Sequence, residues 1–363
     1  MMNGKMNRRS FLSGVASAAA ITSVAHLSSS QPARSAGRLT VVEWGGPYVD
    51  KMKELTSTLS AFNINWVLHA GGAAAILPKI RASWPKPQYD VVAGWDPVYQ
   101  AVTREGWAEP VTAAKVPNLA NIPESLLYRD AAKNVVNIPR TLAAFYWFYR
   151  KDICPFELKS LDDLLDPRLK GKVLFPDPSW GSNFQTITLA RHRGGGERNM
   201  EPGWAFLQQL AKSGNIGRVS SAEVDVINSV TTGETCVGFT SASNALEIAK
   251  NFPVVHLTKL PRSTGFVTGL YQEGWYVLKG PNSGAAFQLV NELISPERNE
   301  AFNAAVSGIP TNTKAKPAAS LAHVTFASES ELKESAYIPD WEFVSAQASD
   351  WKMRWEREIA PQL

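Results

Sequence analysis

The feature that most constrains this chain is a unit that occurs three times in its first third: an apolar run, then glycine, then a helical pattern. The stretch "LTVVEWGGPY" (39–48) is the first copy. Residues 39–44 predict a strand and 48–62 a helix. Residues 64–70 predict a second strand, followed by Gly71-Gly72 and a helix over 73–83. "YDVVAGW" (89–95), with Gly94 near its end, predicts a third strand before a helix over 97–105 that stops at Gly106. Apolar strands alternating with helices specify a parallel α/β sheet. Right-handed crossovers then place the C-terminal ends of the strands on one side. Glycine at those ends lets the backbone approach a guest and leaves helix N-terminal N–H groups facing it. Ordinary strand-to-helix turns favour glycine too. It is the repetition at equivalent places that points to a ligand crevice along this edge.

The middle of the chain changes character. "NIPRTLAAFYWFYRKD" (137–152) is long, extended and aromatic. Beyond it, Ser160 and Asp163 form a capping box for a short helix, and 172–175 predict a strand. Helices are expected over 182–193, 204–213 and 222–232, the last with Ser221 as N-cap and Gly233 just past its end. A strand over 235–240 leads to a helix over 244–250 capped by Ser243. Residues 254–269 read as a second extended segment, followed by the strand "GWYVLKG" (274–280). Pro296 opens a helix over 297–306, and the tail from 328 is helical in pattern, with Trp341, Trp351 and Trp355 spaced for packing. Two α/β units of similar size, joined by two extended segments, predict two lobes that close on a ligand in the cleft between them.

Charge narrows the possible partners. The chain has 37 Lys and Arg against 33 Asp and Glu. Four of the basic residues (Lys5, Arg8, Arg9 and Arg34) and none of the acidic ones fall in the first 35 positions, so the remainder is balanced. A nucleic-acid face needs clustered Lys and Arg in the folded part, so no nucleic-acid partner is expected. The leader has a basic start, a weakly apolar stretch and a small-residue exit at Ala33-x-Ser35. Arg8-Arg9 before Ser10, Phe11 and Leu12 resembles a twin-arginine export signal. Residues 1–35 are therefore expected to be a signal peptide cleaved before Ala36, which places the mature chain in the periplasm. Cys154 and Cys236 are the two cysteines; export permits a disulfide between them, and two buried thiols are the plainer expectation. His26, His69, His192, His256 and His323 are scattered, so no metal site and no cofactor are expected.

The pieces "EWGGPYVDKM", "YDVVAGWDPVYQAVTREGWAEP", "SLDDLLDPRLKGKVLFPDPSWGSNFQ", "TTGETCVGF" and "SGIPTN" carry a family resemblance in their order and spacing. The sequence resembles the periplasmic solute-binding proteins of bacterial ABC transporters, in the branch with spermidine/putrescine and ferric-iron binding proteins. The resemblance implies an α/β, two-lobed type II periplasmic binding protein fold, with parallel-sheet lobes joined by extended hinge segments. It implies lobe one from 36–140 and 261–311, and lobe two from 141–260 and 312–363. It also implies a monomer that binds a small-molecule ligand and delivers it to an inner-membrane ABC permease and its ATPase, with no catalytic role.

In the polyamine branch a cation lies between aromatic faces and carboxylates. An ammonium over an aromatic face gains about 0.5–2 kcal/mol, and a carboxylate anchors it by a charge-assisted hydrogen bond. The resemblance places Trp44, Gly45, Gly46, Tyr48 and Gly72 on the first two loops of the site, and Trp95 and Asp96 after the third strand. From lobe two it adds Asp177, Ser179, Trp180, Ser182, Asn183 and Ser241, and from the return segment Tyr271 and Glu273. Glu273 stands where the branch has Asp, and "TSASNA" (240–245) lacks the Trp found there in polyamine binders. A small amine-bearing cation or zwitterion is the expected ligand. A small anion such as a phosphonate or carboxylate, held by helix N-termini and by Ser179, Ser182, Ser241 and Ser243, is the alternative, as is ferric iron. Each site residue also has a plainer reading: core for Trp44, helix caps for Asp96 and Asp177, a solvated strand end for Tyr271 and Glu273. A thiaminase-like Cys transferase on the same fold would need Cys154 or Cys236 beside a base in the cleft. Replacing Arg8 and Arg9 by Lys is expected to stop export; an unchanged periplasmic yield would contradict the twin-arginine assignment.

Overall fold

A computed structural model describes residues 38–69, 73–178, 183–326 and 328–363. The leader lies outside the described residues. The three strand–helix units form as β1 (Leu39–Glu43), α1 (Pro47–Thr56), β2 (Ile64–Leu68), α2 (Leu77–Ser83), β3 (Val91–Trp95) and α3 (Asp96–Arg104). A long strand, β4 (Ile138–Arg150), leads to β5 (Val173–Pro176), α4 (Phe184–His192), α5 (Glu201–Lys212), β6 (Ile216–Ser220), α6 (Glu223–Thr231), β7 (Val237–Ser241), α7 (Ala242–Ala249) and β8 (Val254–His256). The chain returns through β9 (Thr268–Val277), α8 (Ser283–Leu293), α9 (Pro296–Val306) and β10 (Ile309–Pro310). It ends with α10 (Glu329–Ser335), β11 (Ala336–Tyr337) and α11 (Trp341–Glu358).

These strands follow one path, β2-β1-β3-β9-β4-β7-β5-β6, with β8 and β10 added to β4 and β11 to β9. The β2-β1-β3 and β7-β5-β6 groups are each parallel. Between them run β9 and β4, antiparallel to each other and to their outer neighbours. The end of β9 pairs with β3 over residues 273–277, and its earlier part pairs with β4. Strand β4 in turn pairs with β7 over 145–149. The first predicted connecting segment is thus the central strand β4, while the second, 254–269, supplies only the start of its partner β9; together β4 and β9 tie the parallel groups to one another.

Strand β4 carries a Pro, which has no N–H for a central ladder and is tolerated at a bulge. The register shifts there: Pro139 faces Gly274, Thr141 faces Glu273, and Arg140 is the extra residue between them. A bulge frees carbonyls that must find other donors. The Arg140 carbonyl accepts from the side-chain amides of Asn299 (2.7 Å) and Asn303 (2.9 Å), one turn apart on α9. The Pro139 carbonyl accepts from Thr311 Oγ1 at 2.9 Å. This gives the "SGIPTN" segment a physical role. Gly308 is required because a Cβ there would lie 2.2 Å from Thr141 Oγ1 and 2.6 Å from Asn303 Oδ1. Gly274, opposite the bulge, would put a Cβ 2.2 Å from the Ile138 carbonyl.

Apolar packing also crosses the centre. One core joins Leu39, Val41 and Val91 of the first group to Ile138 and Trp275 of the central strands and to Leu174, Val226 and Ala245 of the second group. A second core gathers Trp147, Phe175, Phe184 and Phe239 with Trp341, Trp351 and Trp355 of α11, so the C-terminal helix packs on the second group. The Trp355 ring stacks on Phe175 with centroids 5.8 Å apart.

Local expectations mostly hold, with three differences. The Ser160–Asp163 capping box forms, and Gly233 takes the expected positive φ past α6. However, Ser241 and not Ser243 caps α7, because β7 runs one residue further and the helix starts at once; Ser241 Oγ accepts from Asn244 N. Ala222 and not Ser221 sits at the N-cap of α6, since the Asp225 carboxylate accepts from both the N–H and the hydroxyl of Ser221. Within 254–269, the strands are confined to Val254–His256 and the start of β9, with a 3₁₀ turn at Arg262–Thr264 between them.

Candidate functional site

The bulge aims Arg140 at two carboxylates. Its Nη1 and Nη2 donate to Glu43 at 2.5 and 2.7 Å, and its Nε and Nη2 donate to Glu273 at 2.7 and 2.5 Å. All three side chains are fully buried. The guanidinium also lies over the rings of Trp275 (4.5 Å), Phe302 (4.5 Å) and Tyr48 (5.7 Å). Trp44 completes the cluster: its Nε1 donates to Glu273 at 3.0 Å and its backbone N–H to Glu43 at 2.8 Å, while its ring stacks on His69. Burial works against the Arg140 charge, but the carboxylates of Glu273 and Glu43 outweigh it and hold its pKa above the usual value. Burial pushes the Glu273 carboxyl up to about 7 against the pull of Arg140. Every partner of Glu273 is a donor, so geometry favours the carboxylate while burial favours the acid. With both acids ionised, the cluster carries one negative charge more than Arg140 offsets.

Next to this cluster, and between the two strand groups, lies a hollow of about 120 Å³. Tyr48 of α1 and Trp95 of β3 form one side. Thr141, Ala143, Ala144 and Phe145 of β4 form the floor. Ser241, Ala242 and Ser243 at the start of α7 form another side, and Val306, Ser307 and Gly308 close the rim. The lining is aromatic and hydroxyl-bearing, with no charged side chain among the described residues. Thr141 Oγ1 is buried there with no hydrogen-bond partner among the described residues. The volume is that of roughly four water molecules.

The structure brings some of the sequence-predicted residues together and separates others. Tyr48, Trp95 and Ser241 share the hollow. Trp44 and Glu273 are joined, but within the ion cluster. Glu273 is therefore corrected from an open ammonium anchor to a buried partner of Arg140. Asp96 is likewise no open carboxylate: it is fully buried, accepts from Gln272 N at 2.6 Å and from the Tyr128 hydroxyl, and is pushed up to about 7 by burial. Tyr271 stands behind the hollow, its ring packed on Phe145 (4.8 Å) and Trp341 (4.4 Å). Asp177 follows β5, half-buried, with its N–H bonded to the Ser220 carbonyl. Asn183 sits at the N-cap of α4 with φ 60°, and its Oδ1 is buried with no partner among the described residues. Gly45 and Gly46 form an exposed turn before α1. Gly72, Ser179, Trp180 and Ser182 lie outside the described residues.

Sequence reasoning missed Arg140, Thr141, Phe145 and the Ser307-Gly308 rim as site residues. For Arg140 a signal existed: a lone basic residue after Pro139, inside a strand otherwise uncharged until Arg150, requires buried acids as partners.

The sequence model of the family described as bacterial extracellular solute-binding protein matches residues 61–333. Solved structures share the fold. An ABC transporter protein from Clostridium perfringens is 22% identical, with a TM-score of 0.72, over 88% of this chain and 99% of its own. A spermidine/putrescine ABC transporter substrate-binding protein from Streptococcus pneumoniae is 15% identical, with a TM-score of 0.69, over 89% of this chain and 99% of its own. A binding protein from Agrobacterium tumefaciens in complex with agropinic acid is 15% identical, with a TM-score of 0.58, over 89% of this chain and 98% of its own. These likenesses establish the two-lobed α/β fold. No curated protein matches the chain.

The buried acids set a pH dependence. Asp96 and Glu273 titrate near 7 when folded, against ordinary values of 3.8 and 4.5. Between those values and 7 the folded chain holds more protons than the unfolded one, so stability falls as pH rises through that window and levels off above it. Arg140→Met is expected to lose about 3–5 kcal/mol at pH 7.5, where two buried carboxylates are stranded. It should lose less at pH 5.5, where the Glu273 carboxyl, pushed up to about 7 by burial, is protonated. Urea unfolding at both pH values checks this; equal losses would contradict it.

Proposed function

This chain belongs to the bacterial extracellular solute-binding protein family, and we propose that it is the substrate-binding component of an ABC importer whose cargo is a small amine-bearing zwitterion. The observation that carries the reading is the placement of Tyr48 and Trp95 opposite Phe145, Ser241 and Ser243 across one hollow between the two strand groups. The aromatic faces suit an ammonium, which gains about 0.5–2 kcal/mol over such a ring. When both acids are ionised, the adjacent Glu43–Arg140–Glu273 cluster favours the same charge through its excess of one negative, without touching the guest. At the other side, α7 begins with its N–H groups and two serine hydroxyls, which suit a carboxylate. A guest with both ends satisfies both sides.

Relatives on this fold include a spermidine/putrescine binder and one holding agropinic acid, so the cargo has to be argued from the lining. The hollow's size favours a compact guest; a longer diamine would need the lobes further apart. Neither cysteine lines the hollow, so the transferase alternative has no thiol there. No helix among the described residues is long and apolar enough to cross a membrane. The family implies a permease and its ATPase as partners, and export through Arg8-Arg9 remains part of this proposal.

A thermal-shift screen followed by calorimetry tests the reading, with small amino acids and betaines, putrescine, and dicarboxylates or phosphonates as separate arms. The expected result is stabilisation by a compact zwitterion, with Trp95→Ala weakening it by roughly 0.5–2 kcal/mol. Tight binding of an anion with no response to any amine would overturn the proposal.

A further inference from the structure

The two cysteines are 82 positions apart in sequence yet meet at the end of β4. Arg150 N–H donates to the Cys236 carbonyl at 2.8 Å, and Cys154 N–H donates to the Arg150 carbonyl at 3.0 Å, so one residue bridges the two backbones. Cys236 is fully buried in the second core and Cys154 packs against the same cluster, half-buried. Both thiols are free in the structure, and the Cys154 thiol donates to the Phe156 carbonyl at 3.2 Å.

The family is extracellular, and disulfides persist in oxidising compartments. We propose that Cys154 and Cys236 are a disulfide site, oxidised after export, that fastens the turn after β4 to the start of β7. The two sulfurs are unequal in a way that orders the chemistry. The neighbouring Cys236 thiol lowers the Cys154 pKa, and the partial exposure of Cys154 admits a reagent; the nearness of Cys154, with burial, raises Cys236. The Cys154 thiolate attacks the disulfide of an oxidant, forming a mixed disulfide and releasing one oxidant thiolate. Cys236 then loses its proton and attacks Cys154 Sγ, expelling the second. Two electrons and two protons pass to the oxidant, which leaves as two thiols.

The bond closes a loop of about 80 residues, a length at which a cross-link restrains the unfolded chain strongly. It also lies in the second strand group, away from the residues lining the hollow, so it is independent of the ligand assignment. Full-length protein exported to the periplasm, and the reduced protein incubated with oxidised glutathione, are denatured and treated with maleimide, then mapped by mass spectrometry. The expected result is no maleimide on either cysteine until a reductant is added, and one linked peptide pair containing Cys154 and Cys236. The thermal midpoint should fall on reduction, and that response should vanish in the C154A/C236A variant. Two thiols open to maleimide in the exported protein and after glutathione treatment, or a glutathione adduct that stays on Cys154, would overturn the proposal.

Discussion

Arg140 is the point at which the parts of this molecule are tied to one another. It sits in the strand that leaves the first parallel group, it holds Glu43 at the end of β1 and Glu273 in β9, and its backbone carbonyl is held by α9. A charged group with no exposure is tolerable only when its hydrogen bonds are complete, and here each carboxylate receives two donor contacts from the guanidinium. The arrangement therefore constrains geometry more than it adds stability. If β1, β4 or β9 shifts, a buried charge loses a partner.

That constraint shapes the neighbouring hollow. The bulge that turns Arg140 toward the acids leaves Thr141 at the floor with an unpaired hydroxyl. It also brings Ser307 and Gly308 over the rim, because Gly308 is the close contact that lets β10 approach Thr141. Tyr48 links the two features, lining the hollow while its ring lies beside the guanidinium. The ion cluster and the guest site are thus separate in contacts but coupled in charge. Above about pH 7, where Glu273 is ionised, a cation entering the hollow meets the field of one uncompensated carboxylate through low-dielectric surroundings, where Coulomb interactions are stronger than in water.

The strand–glycine–helix units, the first connecting segment and the return of Trp341, Trp351 and Trp355 to a core were legible in sequence, because apolar periodicity and glycine punctuation are local signals; the second central strand lies later than the extended segment read at 254–269. The roles of Asp96 and Glu273 were not. An isolated acid at a strand end looks the same whether it faces a guest or a buried arginine, and the distinction depends on a partner 133 positions away in the case of Glu273 and Arg140. Pro139-Arg140 was a readable clue to both bulge and buried pair, but only if the strand is known to be central. The choice of Ser241 over Ser243 as a cap turned on a single residue of strand length. Phe145 and Thr141 joined the site through strand register, which alternation alone does not fix across a bulge.

A crystal structure of the complex with the cargo found by screening tests the central claim most directly. The account predicts density enclosed by Tyr48, Trp95, Phe145 and Ser241, with Arg140 still paired to both Glu43 and Glu273. Density elsewhere, or a guest bonded directly to Glu273 in place of Arg140, would contradict it.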